Sequence, residues 1–284
     1  MIINKNTRFL IVGLGLLGGS YARGFTEKGY HVDAITRSQS SVDFALEHEI
    51  VEKATTEVDT ELISNADIII FSLYPHIFVD WIEKYGKYIK KGTMITDVTG
   101  VKRCIVDKIQ SILPDGVEFV SAHPMAGREV YGVENSDEKI FFGANYVVVP
   151  TEKNTEENVE ACMRIGEILG FGRICQLSPA EHDEMIGFVS QLTHCLAVAL
   201  MTCYEHEHLE KYTGDSFRDL TRIANINEVM WSELFLLNKD ALLRQMDLFM
   251  GQFKKLYGYL ENDDREGMMD MMKCATERRK LFDK

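Results

Sequence analysis

The run Arg8-Phe9-Leu10-Ile11-Val12-Gly13-Leu14-Gly15-Leu16-Leu17-Gly18-Gly19-Ser20 leaves this chain few folds to adopt. Phe9 to Val12 read as a buried strand, Gly13-x-Gly15-x-x-Gly18 as a tight turn, and Leu16 to Phe25 has helical spacing. Strand, glycine turn and helix in that order cradle the phosphates of a dinucleotide. Gly13 lets the chain turn, Gly15 lets backbone N–H groups approach a pyrophosphate, and Gly18 lets helix and strand pack closely. Leu16 and Leu17 then stand at the helix N-terminus, where the helix dipole favours an anion. A glycine-rich turn in some other α/β protein is the alternative.

At 284 residues the chain is longer than one ordinary domain, so two are expected. No apolar run comes near the ~18 residues of a membrane helix, and the first strand starts at once, without a cleavable signal. The expectation is a cytoplasmic protein that binds no membrane. A formal net charge of −13 without a basic cluster argues against nucleic acid and leaves room for small anionic ligands. Cys104, Cys162, Cys175, Cys195, Cys203 and Cys274 show no Cys-x-x-Cys spacing and read as reduced thiols. His206 and His208 are too close to share one helical face, and no metal is expected.

Further strands are expected at His31 to Thr36, Asp67 to Tyr74, Thr93 to Asp97, Glu118 to Ala122, Tyr146 to Val149 and Arg173 to Leu177, alternating with helical segments. Such apolar strands call for a parallel sheet covered on both faces. After residue 177 the spacing is helical, in blocks from Met185 to His206, Phe217 to Ala224, Asn227 to Asn238 and Lys239 to Glu261. The fold class is therefore α/β, a Rossmann-type parallel-sheet domain over 1–177 followed by an all-α substrate and dimerisation domain over 178–284. So many apolar helix faces in about a hundred residues are expected to be buried against a second copy, giving a homodimer.

The end of the second strand selects the cofactor. NAD enzymes usually place a carboxylate there, whereas a 2′-phosphate asks for Arg and hydroxyl donors. Thr36-Arg37-Ser38-Gln39-Ser40-Ser41 holds a cation and hydroxyls, with Thr36, Arg37, Ser38 and Ser41 as the contacts. NADP is expected, with NAD as the alternative if Asp33, three residues earlier, shifts into the acidic role. Ligands bind beyond the carboxyl ends of such strands, where Ser72, Thr99 and His123 fall.

His123 precedes Pro124 and can accept a proton from a hydroxyl that loses hydride. His182-Asp183 and Ser190-Gln191-Leu192-Thr193-His194 put polar groups into an apolar helix, which asks for a ligand or a fully bonded network. Asp219 and Arg222, three apart, let a carboxylate orient a guanidinium suited to a substrate carboxylate; a surface ion pair is the plainer alternative.

With Asp97-Val98-Thr99-Gly100-Val101-Lys102, His123-Pro124-Met125-Ala126-Gly127 and Phe217-Arg218-Asp219-Leu220-Thr221-Arg222-Ile223-Ala224 followed by Met230-Trp231, these motifs resemble, in order, the prephenate/arogenate dehydrogenases of tyrosine biosynthesis. The resemblance implies oxidative decarboxylation of prephenate to 4-hydroxyphenylpyruvate. It assigns His123 the hydroxyl proton and Arg222, oriented by Asp219, a substrate carboxylate, with His194 as a further contact. Two departures stand out. Gly100 occupies the place of a serine common in relatives, with Thr99 as the substitute hydroxyl, and Asn225-Ile226-Asn227-Glu228 replaces Ser-Asp-Pro. No regulatory ACT domain follows, so feedback by tyrosine through one is not expected. The alternatives are an arogenate or dual-substrate cyclohexadienyl dehydrogenase, with Glu129 pairing with the amine if it faces the pocket; a β-hydroxyacid dehydrogenase or imine reductase; and a non-catalytic NADP-sensing regulator.

Overall fold

A computed structural model of the chain describes residues 1–128 and 130–282. Strand β1 (Arg8–Val12) leads into α1 (Leu16–Glu27), β2 (His31–Ile35), α2 (Gln39–Glu47), β3 (Lys53–Thr55), α3 (Thr60–Asn65), β4 (Ile68–Phe71), α4 (Pro75–Tyr85), β5 (Met94–Asp97), α5 (Arg103–Ile112) and β6 (Glu118–Phe119). The six strands pair in parallel in the order β3-β2-β1-β4-β5-β6. Strand order reverses between β1 and β4, and that switch point opens a crevice at the carboxyl ends.

The pleat of β1 divides its side chains between two cores. Phe9 and Ile11 join Tyr21, Phe25 and Val32 on one face; Leu10 and Val12 join Phe71, Phe78 and Ile82 on the other. Each such burial contributes ~1.5–3 kcal/mol. Helices are therefore needed on both sides, as the unbroken apolar strands implied.

The expected single sheet is corrected at its far edge. Glu118 to Ala122 is not one strand: β6 ends the parallel sheet and β7 (Ser121–Met125) opens a second. There it pairs antiparallel with β8 (Asn145–Val149), which leads through α6 (Glu156–Leu169) to its parallel neighbour β9 (Arg173–Gln176). At the break Asp97 Oδ1 accepts the Ala122 N–H at 3.1 Å, a backbone donor that therefore does not extend the β5 ladder, and also the Ser121 hydroxyl at 2.6 Å. His123 and Pro124 consequently sit inside β7, opposite Val147 and Tyr146, and not just beyond a strand.

From Ser178 onward the described elements are helical. A capping box of Ser178 and Glu181, with Pro179 in the first turn, starts α7 (Pro179–Ile186). A π-helical segment, Gly187–Leu192, then joins it to α8 (Thr193–Thr202). After these come α9 (Asp215–Thr221), a 3-10 turn (Arg222–Ala224), α10 (Glu228–Leu237), α11 (Lys239–Glu261) and α12 (Arg265–Arg279). The continuous stretch Pro179–Thr202 corrects the expectation about apolar runs: with a mean hydropathy of 1.5 over its apolar window it is long and apolar enough to cross a membrane by length and composition. Leu200, Met201, Leu236, Leu248 and Phe253 of this domain are exposed and apolar.

Candidate functional site

The glycine turn is held by contacts that admit no side chain. Gly13 has φ +100°, and a Cβ there would lie 2.4 Å from the Ser72 carbonyl oxygen; on Gly18 it would lie 1.9 Å from the Gly13 carbonyl oxygen. Ser72, after β4, thus abuts the turn. A Cβ on Gly15 would instead meet nothing within 4 Å, and Gly15 begins α1 without a side-chain cap. The first amides of α1, at Leu16 and Leu17, belong to a positive helix end that fronts open space. This cradle fits a dinucleotide pyrophosphate.

Beyond β2, the Thr36 hydroxyl accepts the Leu14 N–H at 3.4 Å, and the Ser38 hydroxyl caps α2 by accepting the Ser41 N–H at 3.4 Å. Arg37 is exposed and makes no ion pair among the described residues. Asp33 is buried within β2, opposite Leu10, and paired with Arg8 at 3.5 Å; burial raises its carboxyl above the usual range. Asp33 thus lies inside the strand and away from its end, with Oδ2 held by Arg8 and Oδ1 buried without a hydrogen-bond partner among the described residues.

Behind the carboxyl end of β5 lies a closed polar cluster. Lys102 and Asp97 have fully buried side chains, with Nζ 2.8 Å from Oδ2. The ammonium also donates to the Thr99 hydroxyl at 3.2 Å and to the Ala122 carbonyl at 2.7 Å, using all three of its protons. Desolvation by burial lowers the Lys102 pKa against the pull of Asp97. Thr99 turns its hydroxyl into this cluster, where it donates to Asp97. The expectation that Thr99 substitutes for a missing serine is corrected: Lys102 and Asp97 hold its hydroxyl inside the protein. Nothing steric demands Gly100 either, since a Cβ there would lie 3.6 Å from Leu234 Cδ1 and 4.0 Å from His123 Nε2.

His123 Nε2 accordingly lies beside Gly100, just past the carboxyl end of β5. Its Nδ1 lies 2.9 Å from Nε2 of His182, whose Nδ1 lies 2.8 Å from Asp183 Oδ1. Asp183 also accepts the Lys102 N–H at 2.8 Å and the Arg103 N–H at 2.9 Å, supplying the N-terminus of α5 with the cap it otherwise lacks. Burial, then the neighbouring His182 and Lys102, lower the His123 pKa well below the usual imidazole range. Burial lowers that of His182 too, against the opposing pull of Asp183. Neutral imidazoles suit proton acceptance.

The sequence marks His182 and Asp183 as polar residues in an apolar helix without assigning them a role, and the structure buries both. Gln191 is buried, donating to the Leu234 carbonyl at 3.1 Å and accepting from Asn238 at 2.7 Å. His194 donates from Nδ1 to the Ser190 carbonyl at 2.9 Å and stacks on Trp231 with ring centroids 3.7 Å apart. Asp219 and Arg222 do not lie on one helix: α9 ends at Thr221, and Arg222 opens the 3-10 turn packed on α8. Both are exposed, and α9 carries an ion pair between Arg218 and Asp215 at 3.7 Å. Glu129 lies outside the described residues.

Residues 21–172 match the family described as prephenate dehydrogenase, nucleotide-binding domain, and residues 178–274 the family described as prephenate dehydrogenase, dimerization domain. A prephenate dehydrogenase of Bacillus subtilis is 28% identical over 95% of this chain and 74% of its own length. A cyclohexadienyl dehydrogenase of Zymomonas mobilis is 25% identical over 95% and 94%. The crystal structure of prephenate dehydrogenase from Aquifex aeolicus, in complex with hydroxyphenyl propionate and NAD+, superposes with a TM-score of 0.89 at 27% identity, covering 97% of this chain and 98% of that one.

Proposed function

The chain belongs to the prephenate dehydrogenase family of NAD(P)-dependent oxidoreductases, and from that premise we propose that it oxidises and decarboxylates prephenate with a preference for NADP, as a homodimer. The observation that carries this reading is the place of His123, whose Nε2 lies beside Gly100 at the carboxyl end of β5 and whose pKa burial lowers. When bound in the glycine cradle, the nicotinamide dinucleotide supplies a hydride acceptor.

His123 Nε2 accepts the proton of the ring hydroxyl as the carbon bearing it gives up hydride. The bond to the departing carboxylate then breaks, and its electron pair enters the ring as carbon dioxide leaves. Arg222 is the cation assigned to the remaining carboxylate, and His194, backed by Trp231, is a further polar contact. The exposed Arg37 and the engagement of Asp33 with Arg8 support NADP. The exposed apolar residues on α8, α10 and α11 support burial against a second copy.

Absorbance of the reduced nicotinamide, followed with prephenate or arogenate and with NADP or NAD, tests the reading. Prephenate with NADP is expected to give the highest kcat/KM. Arg37→Ala should raise the KM for NADP about tenfold, as expected for a charge-assisted hydrogen bond of ~1.5 kcal/mol, and leave that for NAD unchanged. Absence of turnover in every combination overturns the assignment.

A further inference from the structure

We propose that Asp183 and His182 form a relay, reaching from the helical domain into the nucleotide domain, that fixes His123 with its proton on Nδ1 and its lone pair on Nε2. The inference rests on the reading of His123 as the base, and it makes His182 and Asp183 positioning residues for that base.

The assignment follows link by link from what each atom can do. Asp183 Oδ1 already accepts the Lys102 N–H, and its other oxygen accepts the Arg103 N–H, so the carboxylate is an acceptor on both sides. The His182 Nδ1, 2.8 Å from Oδ1, must therefore carry a proton. A neutral imidazole has one N–H, which leaves His182 Nε2 as an acceptor. His123 Nδ1, 2.9 Å from it, must then donate. The remaining nitrogen of His123, Nε2, keeps its lone pair beside Gly100, where the substrate hydroxyl stands if His123 is the base. Were the protons placed the other way, two lone pairs or two N–H groups would face each other in a buried site, a mismatch that costs the full desolvation of a polar group.

The relay is itself held on both flanks. Asn238 of α11 donates to the Asp183 carbonyl at 2.8 Å and to Gln191 at 2.7 Å, while Lys102 anchors the Ala122 carbonyl one residue before His123. Among the described residues, the charged groups that act on the two imidazoles are Lys102 and Asp97 from the nucleotide domain and Asp183 from α7. Lys102 opposes protonation of both rings. Asp183 favours protonation of His182, so its charge also stabilises the imidazolium that His123 becomes on taking the substrate proton.

Full-length protein carrying ¹⁵N-labelled histidine tests the relay without reference to turnover. The nitrogen shifts of His123 are expected to report the Nδ1–H form in the parent and a mixture of both forms in His182→Phe, which keeps ring volume and removes the acceptor. The same variant should lower kcat about a hundredfold, the lower end of what a general base contributes, with KM for both substrates nearly unchanged. His182→Gln, whose amide oxygen can accept the His123 proton, should restore kcat to within about tenfold of the parent. A parent protein with the proton on Nε2, or a folded His182→Phe variant with parental kcat and tautomer, overturns the relay. If the parent reduces no nicotinamide with prephenate or arogenate, the functional assignment falls while the nitrogen shifts still decide the tautomer.

Discussion

Replacing Lys102 by Met is expected to lower the unfolding free energy by ~3–5 kcal/mol, the usual result of removing one partner from a buried ion pair. The side chains of Lys102 and Asp97 are fully buried, so no water can take the place of the ammonium. The substitution would strand the Asp97 oxygen that the ammonium contacts at 2.8 Å and leave the Ala122 carbonyl without its donor. Adding Asp97→Asn should recover only part of the loss. Asp97 also receives the Ser121 hydroxyl and the Ala122 and Thr99 amides, and a carboxamide has fewer acceptor sites for them. Urea unfolding of the parent, single and double variants gives the comparison, and a Lys102→Met protein within about 1 kcal/mol of the parent would contradict it, being below the range for breaking a buried pair.

The nucleotide domain was legible because its signals are local. A strand, a glycine turn and a helix occupy neighbouring residues, and apolar strands buried on both faces announce themselves by composition. The β6–β7 break was not legible. It depends on Asp97, some two dozen residues upstream, taking the Ser121 and Ala122 donors, and no period in Glu118 to Met125 encodes that. The π segment at Gly187–Leu192 was hidden for a related reason. Its first residue, Gly187, abuts Ala241 and Asn238, more than fifty residues later in the chain, and no local period encodes that contact.

The starts of two helices carry a further signal. Tyr74 and Lys102 stand at the starts of α4 and α5, and neither can cap a helix. Both helices are capped from the other domain: Asp183 takes the Lys102 and Arg103 amides, and Glu233 of α10 takes the His76 amide at 3.0 Å and the His76 ring at 2.8 Å. Two uncapped helix starts facing one crevice pointed to carboxylates arriving from elsewhere, and one of those carboxylates begins the chain of bonds that ends at His123.

His123→Asn is expected to lower kcat by ~10²–10⁴-fold, the range a positioned general base contributes, with KM for prephenate and for nucleotide little changed. The amide keeps a polar group near the hydroxyl but cannot take its proton at neutral pH. The pH dependence of the parent gives an independent check. Burial, reinforced by His182 and Lys102, lowers the His123 pKa, so the neutral, proton-accepting form persists below the ordinary imidazole value of about 6.5. Activity should hold its plateau as pH falls through 6.5 and drop only at more acid pH, when Nε2 becomes protonated. Deprotonation of the base form is not at issue on the alkaline side, so any alkaline limb belongs to another group. In His123→Asn the acid limb should vanish along with most of the rate. A variant that keeps kcat within about threefold of the parent, far less than a general base contributes, or a parental acid limb at or above the ordinary imidazole value, would mean that this imidazole does not accept the substrate proton.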